Sequence, residues 1–168
     1  NFGVPEEYAA EHIPGAMYLD TNALESSTSW NRRSAEELET ALLAHGITHE
    51  KTIVLYGRHS RPDPRDAHPG QSAGHIAAAR AAAILMYAGV KDVRLLDGGL
   101  DAWMSDGHTL ERELRKPTPA AAFGVRIPSR PDFIIDIEEA KALLADPNGV
   151  LVSMRSWPEF SSEASGYH

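Results

Sequence analysis

The sequence predicts an α/β domain with a central, mostly parallel sheet flanked by helices on both faces, followed by the start of a second such domain. Residues 52–56 form a continuous β-branched and aromatic run, which is typical of a strand buried on both faces. Residues 93–96 form a second short strand, and a helical pattern follows each strand along the chain. This order is typical of a parallel sheet, and right-handed crossovers place helices on both of its faces.

The helices are predicted mainly from the signals at their ends. Ser34 and Glu37 form the S-x-x-E pattern of a capping box, and Gly46 is a suitable left-handed terminator for the helix that Ser34 opens. An alanine-rich helix is expected over about 72–88, with Gly89 at its end. These signals give the first domain its alternation of helices and strands.

The segment 58–73, between the first strand and the long helix, differs in composition from its surroundings. It contains prolines at 62, 64 and 69 and many charges, so we expect a long exposed loop. Its histidines and aspartates are possible metal ligands, but their spacing matches no compact metal-binding pattern. We therefore predict a solvated insertion without a metal site. The charged residues and histidines of this region are His59, Arg61, Asp63, Arg65, Asp66 and His68, with His75 just after it.

Three segments are predicted along the chain: a first domain over 1–111, a proline-rich linker over 112–131, and the N-terminal part of a second, truncated domain over 132–168. In the last segment Asp136 opens a helix, and 150–153 is expected to form a buried strand. The chain begins at a residue other than Met, in the middle of a pattern. We therefore expect an excised or processed piece of a longer protein.

Composition and charge exclude several classes of function. Sixteen basic and twenty-four acidic side chains give a net charge of −8, which argues against nucleic acid as a partner. No run approaches the roughly 20 apolar residues of a membrane helix, so no membrane partner is expected. The chain contains no cysteine, which excludes disulfides, thiolate metal sites and thiolate nucleophiles. We expect no cofactor.

Two motifs carry a resemblance to a known family. The first consists of Tyr8 and the run 12–16, His-Ile-Pro-Gly-Ala; the second consists of the run 96–99, Leu-Asp-Gly-Gly, and Trp103. Their sequence and the order of elements between them resemble the rhodanese family, whose domains carry a sulfur atom on a cysteine thiolate. His12 is expected to be structural, with its ring N–H donated to a carbonyl, and Trp103 and Leu100 are expected to be core residues.

The resemblance also implies where the active site would be. In the family a cysteine follows the central strand, and the loop it begins cradles an anion. Here Gly57 occupies that position, so we predict that this domain has no catalytic residue. Arg58, the next residue, and Arg155, after the predicted strand of the second segment, are the candidate binding residues, because a guanidinium suits sulfonate oxygens.

The function implied is that of a fragment of a multidomain thiosulfate sulfurtransferase. The intact protein would pass sulfane sulfur from thiosulfate, or another sulfane-sulfur donor, to cyanide or a thiol acceptor. A cysteine persulfide outside this chain would carry that sulfur. This domain would be structural, with a neighbouring rhodanese domain as its partner. The alternative is an inactive domain that acts as a protein-interaction or regulatory module. A related cysteine-dependent phosphatase ranks last, because it too needs the absent thiolate.

Two further expectations depend on the resemblance. It suggests the periplasm as the location, with the cytoplasm as the alternative. Domains of this family begin with a strand before Tyr8, and here that first strand is missing. Either that piece was cut away, or another segment fills its place. The segment 150–153, from this chain or from a second copy, is chemically suited to do so, and a strand-exchanged dimer is therefore a hypothesis.

Overall fold

The structure, a computed structural model, describes residues 5–59 and 73–163. Cα packing divides the chain into two units, Asn1–Ile134 and Ile135–His168. The elements in chain order are α1 (Pro5–Ala10), a 3₁₀ turn (Thr21–Ala23), α2 (Ala35–Ala44), β1 (Thr52–Leu55), α3 (Ala73–Ala88), β2 (Asp92–Leu95), α4 (Gly99–Ser105), a second 3₁₀ turn (Pro131–Phe133), α5 (Ile137–Ala145) and α6 (Trp157–Phe160). Among the described residues no helix has the length and apolar character that crossing a membrane requires.

Local end signals place α2 as the sequence predicts. Ser34 Oγ accepts from the Glu37 amide at 3.2 Å, and the Glu37 carboxylate accepts from the Ser34 amide at 2.9 Å, which completes the capping box. Gly46 ends the helix with φ +66°, a left-handed conformation that glycine adopts without strain. The long helix α3 likewise ends before Gly89, as predicted.

The sheet of the first unit is parallel, as predicted. Strands β1 and β2 pair in register from Thr52 with Asp92 to Leu55 with Leu95. The prediction that the first strand is buried on both faces is wrong. Ile53 packs on the core, but Val54, on the opposite face, is 57% exposed. The physical reason is that the described residues place a single neighbouring strand, and core side chains on one side only, against β1.

The core of the first unit lies between α2, α3 and the inward face of the two strands. Leu38 and Leu42 from α2 and Leu85 and Ala88 from α3 are completely buried. The small alanines of α3 let this helix pack closely against the sheet, because short side chains leave the backbones near each other. Leu100 is buried as predicted, and Trp103 is partly buried with its indole N–H donated to the Thr109 carbonyl at 2.9 Å.

Residues 112–131, predicted to be a linker, instead pack onto the first unit. Phe123 is 1% exposed and Ile127 is 5% exposed, and both belong to the main core. The Phe123 carbonyl accepts from the His49 amide at 2.8 Å, which fixes the segment beside the strands. Prolines indicated an irregular backbone correctly, but irregular backbone with apolar side chains still contributes to a core.

The second unit contains two helices in its described part. Asp136 and Glu139 form the predicted capping box of α5, with distances of 2.8 and 2.9 Å. The prediction of a buried strand over 150–153 is wrong: this segment has no strand pairing, and Val150 is 82% exposed. A strand needs a neighbour for its backbone groups, and the described part of this unit contains no strand. The strand-exchanged dimer stays a prediction.

Candidate functional site

The candidate site lies at the carboxyl end of β1, where the chain passes through Gly57, Arg58 and His59. The next described residues open α3, and α4 begins at the neighbouring end of β2. The Gly57 carbonyl accepts from the Leu100 amide at 2.9 Å, so the loop after β1 is hydrogen-bonded to α4. Carboxyl ends of adjacent parallel strands are common ligand positions, because the loops after them converge there.

Gly57 has no room for a side chain. A Cβ on Gly57 would lie against the carbonyl group of Gly74 and 2.5 Å from the amide nitrogen of His75. The converse also holds, because a Cβ on Gly74 would be 2.7 Å from the amide nitrogen of Arg58. The backbone after β1 is therefore in direct contact with the backbone that opens α3. This position lacks a nucleophile, and the backbone packing excludes one.

Arg58 is paired within the first unit. Its guanidinium lies 3.0 Å from a carboxylate oxygen of Glu11, and its side chain is 21% exposed. Both residues line a cavity of about 220 Å³, whose other lining residues include Tyr8, His12, Met17, Tyr56 and Ala78. An anion that approaches Arg58 also approaches the Glu11 carboxylate, so this pair disfavours anion binding. Arg58 as a binding residue stays a prediction.

His12 has the structural role that the sequence predicts. Its Nδ1 donates to the Tyr8 carbonyl at 2.7 Å, its ring stacks on that of Tyr8 at 4.0 Å, and it is 1% exposed. Its backbone pairs with that of Glu111, whose carboxylate also accepts from the Gly15 amide at 2.6 Å. The hydrogen bonds from Arg115 and Gly15 lower the pKa of Glu111 to about 2. These hydrogen bonds fix the turn that follows His12, and His12 itself lines the cavity.

Three side chains lie close together beside the backbone contact between Gly57 and Gly74. His59 Nδ1 is 3.0 Å from Asp101 Oδ2, and His75 Nε2 is 3.4 Å from His59 Nδ1 and 3.6 Å from Asp101 Oδ2. Burial raises the pKa of Asp101, but hydrogen bonds from His59 and the charges of both histidines outweigh it and lower that pKa. These three residues, called the His–His–Asp cluster below, form the group of ligand-bearing side chains among the described residues that lie close enough together to hold a metal ion.

Sequence reasoning included the two histidines of this cluster but missed Asp101. Asp101 follows the glycine turn after β2, as His59 follows β1, and adjacent parallel strands end at the same edge of a sheet. The shared edge of the sheet is therefore the feature that could have indicated Asp101 from the sequence. The other polar residues of the predicted loop, over 60–72, lie outside the described residues. Arg155 lies in the second unit, where its backbone amide donates to Ser153 Oγ at 3.4 Å.

Residues 4–106 match the model of the rhodanese-like domain family. Over 167 residues the chain is 46% identical to thiosulfate sulfurtransferase YnjE of Escherichia coli, and the match covers 99% of this chain and 35% of that protein.

Solved structures give a similar result. The anaerobic ergothioneine biosynthesis enzyme from Chlorobium limicola, in complex with trimethyl histidine, matches with a TM-score of 0.89 and 50% identity; the match covers 96% of this chain and 38% of that chain. A variant of EanB, described as a persulfide in a tetrahedral intermediate state with ergothioneine, matches with a TM-score of 0.87 and 49% identity over 94% of this chain and 37% of that chain. The chain thus spans little more than a third of these proteins.

Proposed function

The chain belongs to the rhodanese-like domain family, and from that premise we propose that it is a non-catalytic domain of a longer sulfurtransferase, followed by the start of the next domain. The longer protein passes sulfane sulfur from a donor such as thiosulfate to an acceptor, through a cysteine persulfide outside this chain. This domain supports its neighbour by packing against it. Named sulfurtransferases among the relatives support the sulfur chemistry.

The observation that carries this proposal is Gly57 and its surroundings. Sulfur transfer in this family needs a thiolate after the central strand, since a thiolate is the nucleophile that bears the persulfide. Position 57 carries no side chain, and the carbonyl group of Gly74 lies where a Cβ would be. The whole chain contains no cysteine that could act instead. These facts favour a supporting role over a catalytic one.

The acceptor of the longer protein has two candidates. Cyanide or a thiol is the acceptor that a thiosulfate sulfurtransferase such as YnjE suggests. Trimethyl histidine is the second candidate, because the ergothioneine biosynthesis enzyme, in complex with it as natural substrate, is 50% identical to this chain. The residues that choose between them would lie in the catalytic domain, so both acceptors belong in the test.

The test compares this chain with the complete protein that contains it. Each is given thiosulfate and cyanide, and thiocyanate is measured; in a second assay trimethyl histidine replaces cyanide, and ergothioneine is measured by mass spectrometry. We expect neither product from this chain, and one of them from the complete protein. Replacing the persulfide cysteine of the complete protein with serine should abolish the product and serves as the matched control.

Two results would contradict the proposal. Product formed by this 168-residue chain alone would show that it needs no thiolate. No product from the complete protein with either acceptor would favour the alternative, an inactive domain that binds a partner protein. In that case, capture of the same partner by this chain and by the complete protein would identify the interaction module.

A further inference from the structure

Three elements of the first unit each bring one metal-ligating side chain to a common point. His59 comes from the segment after β1, His75 from the first turn of α3, and Asp101 from the first turn of α4. The atoms that meet there are two imidazole nitrogens and one carboxylate oxygen, with separations of 3.0, 3.4 and 3.6 Å. Side chains from three separate elements converge in this way only when the tertiary fold places them together.

Hydrogen bonding among the described residues satisfies these three atoms only in part. His59 Nδ1 lies 3.0 Å from Asp101 Oδ2, so a proton on that nitrogen is donated to the carboxylate. His75 Nε2 lies 3.4 Å from His59 Nδ1 and can share this proton only through a long contact, and its distance of 3.6 Å from Asp101 is too long for a hydrogen bond. A cation would accept a lone pair from each of the three atoms.

The separations fit a tetrahedral zinc site. Zinc binds nitrogen and oxygen ligands at about 2.0–2.2 Å, and a tetrahedron with that radius has ligand-to-ligand edges of about 3.3–3.6 Å. Two of the observed edges, 3.4 and 3.6 Å, lie within this range, and the third, 3.0 Å, lies slightly below it. Two imidazoles favour zinc and its neighbours over magnesium or calcium, which prefer oxygen ligands. We propose that the His–His–Asp cluster binds Zn²⁺, with water in the fourth position.

Neighbouring groups hold the ligands in place. The His59 amide donates to Asp101 Oδ2 at 2.9 Å, so the carboxylate is already oriented by the backbone of another ligand. The two imidazole rings meet edge to face with centroids 4.6 Å apart. Gly99, at φ +56°, leaves the space that the His75 ring needs, because a Cβ there would contact this ring. Asp101 is 40% exposed, so solvent can supply the fourth ligand.

The ion would connect the end of β1 with α3 and α4. The zinc site goes beyond the proposed function and does not depend on it, because its three ligands belong to this chain and none is a thiolate. An ion that binds only the folded chain raises the midpoint of thermal unfolding as its concentration rises. Zinc binding therefore has two readouts, affinity and thermal stability.

The experiment uses the 168-residue chain without a histidine tag, freed of metal by a chelator and then dialysed. Calorimetric titration with ZnCl₂ should show one saturable site, and Co²⁺ should give the strong visible absorption of four-coordinate cobalt. His59→Ala and Asp101→Asn should each weaken zinc binding by at least about tenfold. The matched controls are His108→Ala and Asp106→Asn, which remove an exposed imidazole and an exposed carboxylate elsewhere.

Each possible result either supports or overturns the proposed zinc site. One zinc ion per chain, weakened in both cluster variants and unchanged in both controls, supports the site. Absence of saturable binding overturns it, and so does binding that the cluster variants retain or the controls also lose. His59 and Asp101 are both solvent-accessible, so their substitution should leave the fold intact. Circular dichroism checks that the variants are folded. A rise in unfolding temperature with zinc in the wild type, absent in His59→Ala, gives an independent second measurement.

Discussion

The substitution Gly57→Ala tests the contact that excludes a side chain after β1. The added methyl would lie 2.5 Å from the His75 amide nitrogen and still closer to the Gly74 carbonyl group. Both obstacles are backbone atoms, so a rotamer change cannot relieve the clash. Overpacking in a well-packed region costs about 1–3 kcal/mol, and movement of the backbone places this case near the upper limit. We expect a loss of about 3 kcal/mol, or about 10 °C in Tm.

Urea unfolding followed by circular dichroism measures this loss, with Ala79→Cys as a control for substitution at an exposed helix position. Gly57→Cys extends the test, because it adds the thiol that the family uses. We expect the cysteine variant to be destabilised to a similar degree and to form no thiocyanate from thiosulfate and cyanide. Ala79→Cys carries an exposed thiol without the clash, so it shows the background level of sulfur exchange.

Wild-type stability in Gly57→Ala would refute the steric reasoning, because it would mean that the loop after β1 moves away at little cost. Thiocyanate formation by Gly57→Cys above the level of Ala79→Cys would refute the conclusion that the backbone packing at position 57 excludes a working nucleophile. The thiocyanate result would show that a single substitution makes the position after β1 active.

Two further predictions concern ion pairs of the first unit. The folded-state pKa of Glu111 is about 2, below its ordinary 4.5, so its stabilisation is present above about pH 4.5 and is lost as the pH falls toward 2. Tm measured against pH should fall over that range, and Glu111→Gln should flatten the fall. Glu25 is 3% exposed and accepts from Arg80 at 2.8 Å; Arg80→Met should therefore cost about 2 kcal/mol in urea unfolding. Adding Glu25→Gln should recover part of this loss; no recovery would show that Arg80 acts through packing.

The parts of the fold that the sequence predicts correctly depend on neighbours along the chain. The capping boxes at Ser34 and Asp136 and the left-handed Gly46 are each decided within about four residues, so their pattern is visible in the sequence. Strand burial is decided by distant residues. Val54 and Val150 both belong to apolar runs, yet both are exposed, because burial requires partner elements that composition does not indicate.

The candidate site shows the same difference between features that nearby residues decide and features that distant residues decide. The lack of a nucleophile at Gly57 follows from the residue type and a family motif, whereas the contact with Gly74 that closes the position is visible only in the structure. Within one loop, the spacing of the histidines matches no known metal-binding pattern. The third ligand, Asp101, comes from a different element. A site assembled across a fold has no fixed spacing, and only the common edge of the strands indicated it.

The close backbone contact at Gly57 and the arrangement of the His–His–Asp cluster have one structural cause. Gly57, Gly74 and Gly99 lack side chains where three backbones meet, and this lets the start of α3 lie against the end of β1. The same close approach brings the ring of His75 next to His59 and Asp101. A side chain at position 57 would separate those backbones and displace His75. Gly57→Ala should therefore weaken zinc binding although residue 57 is not a ligand. Unchanged zinc affinity in a destabilised Gly57→Ala would show that the two features are independent.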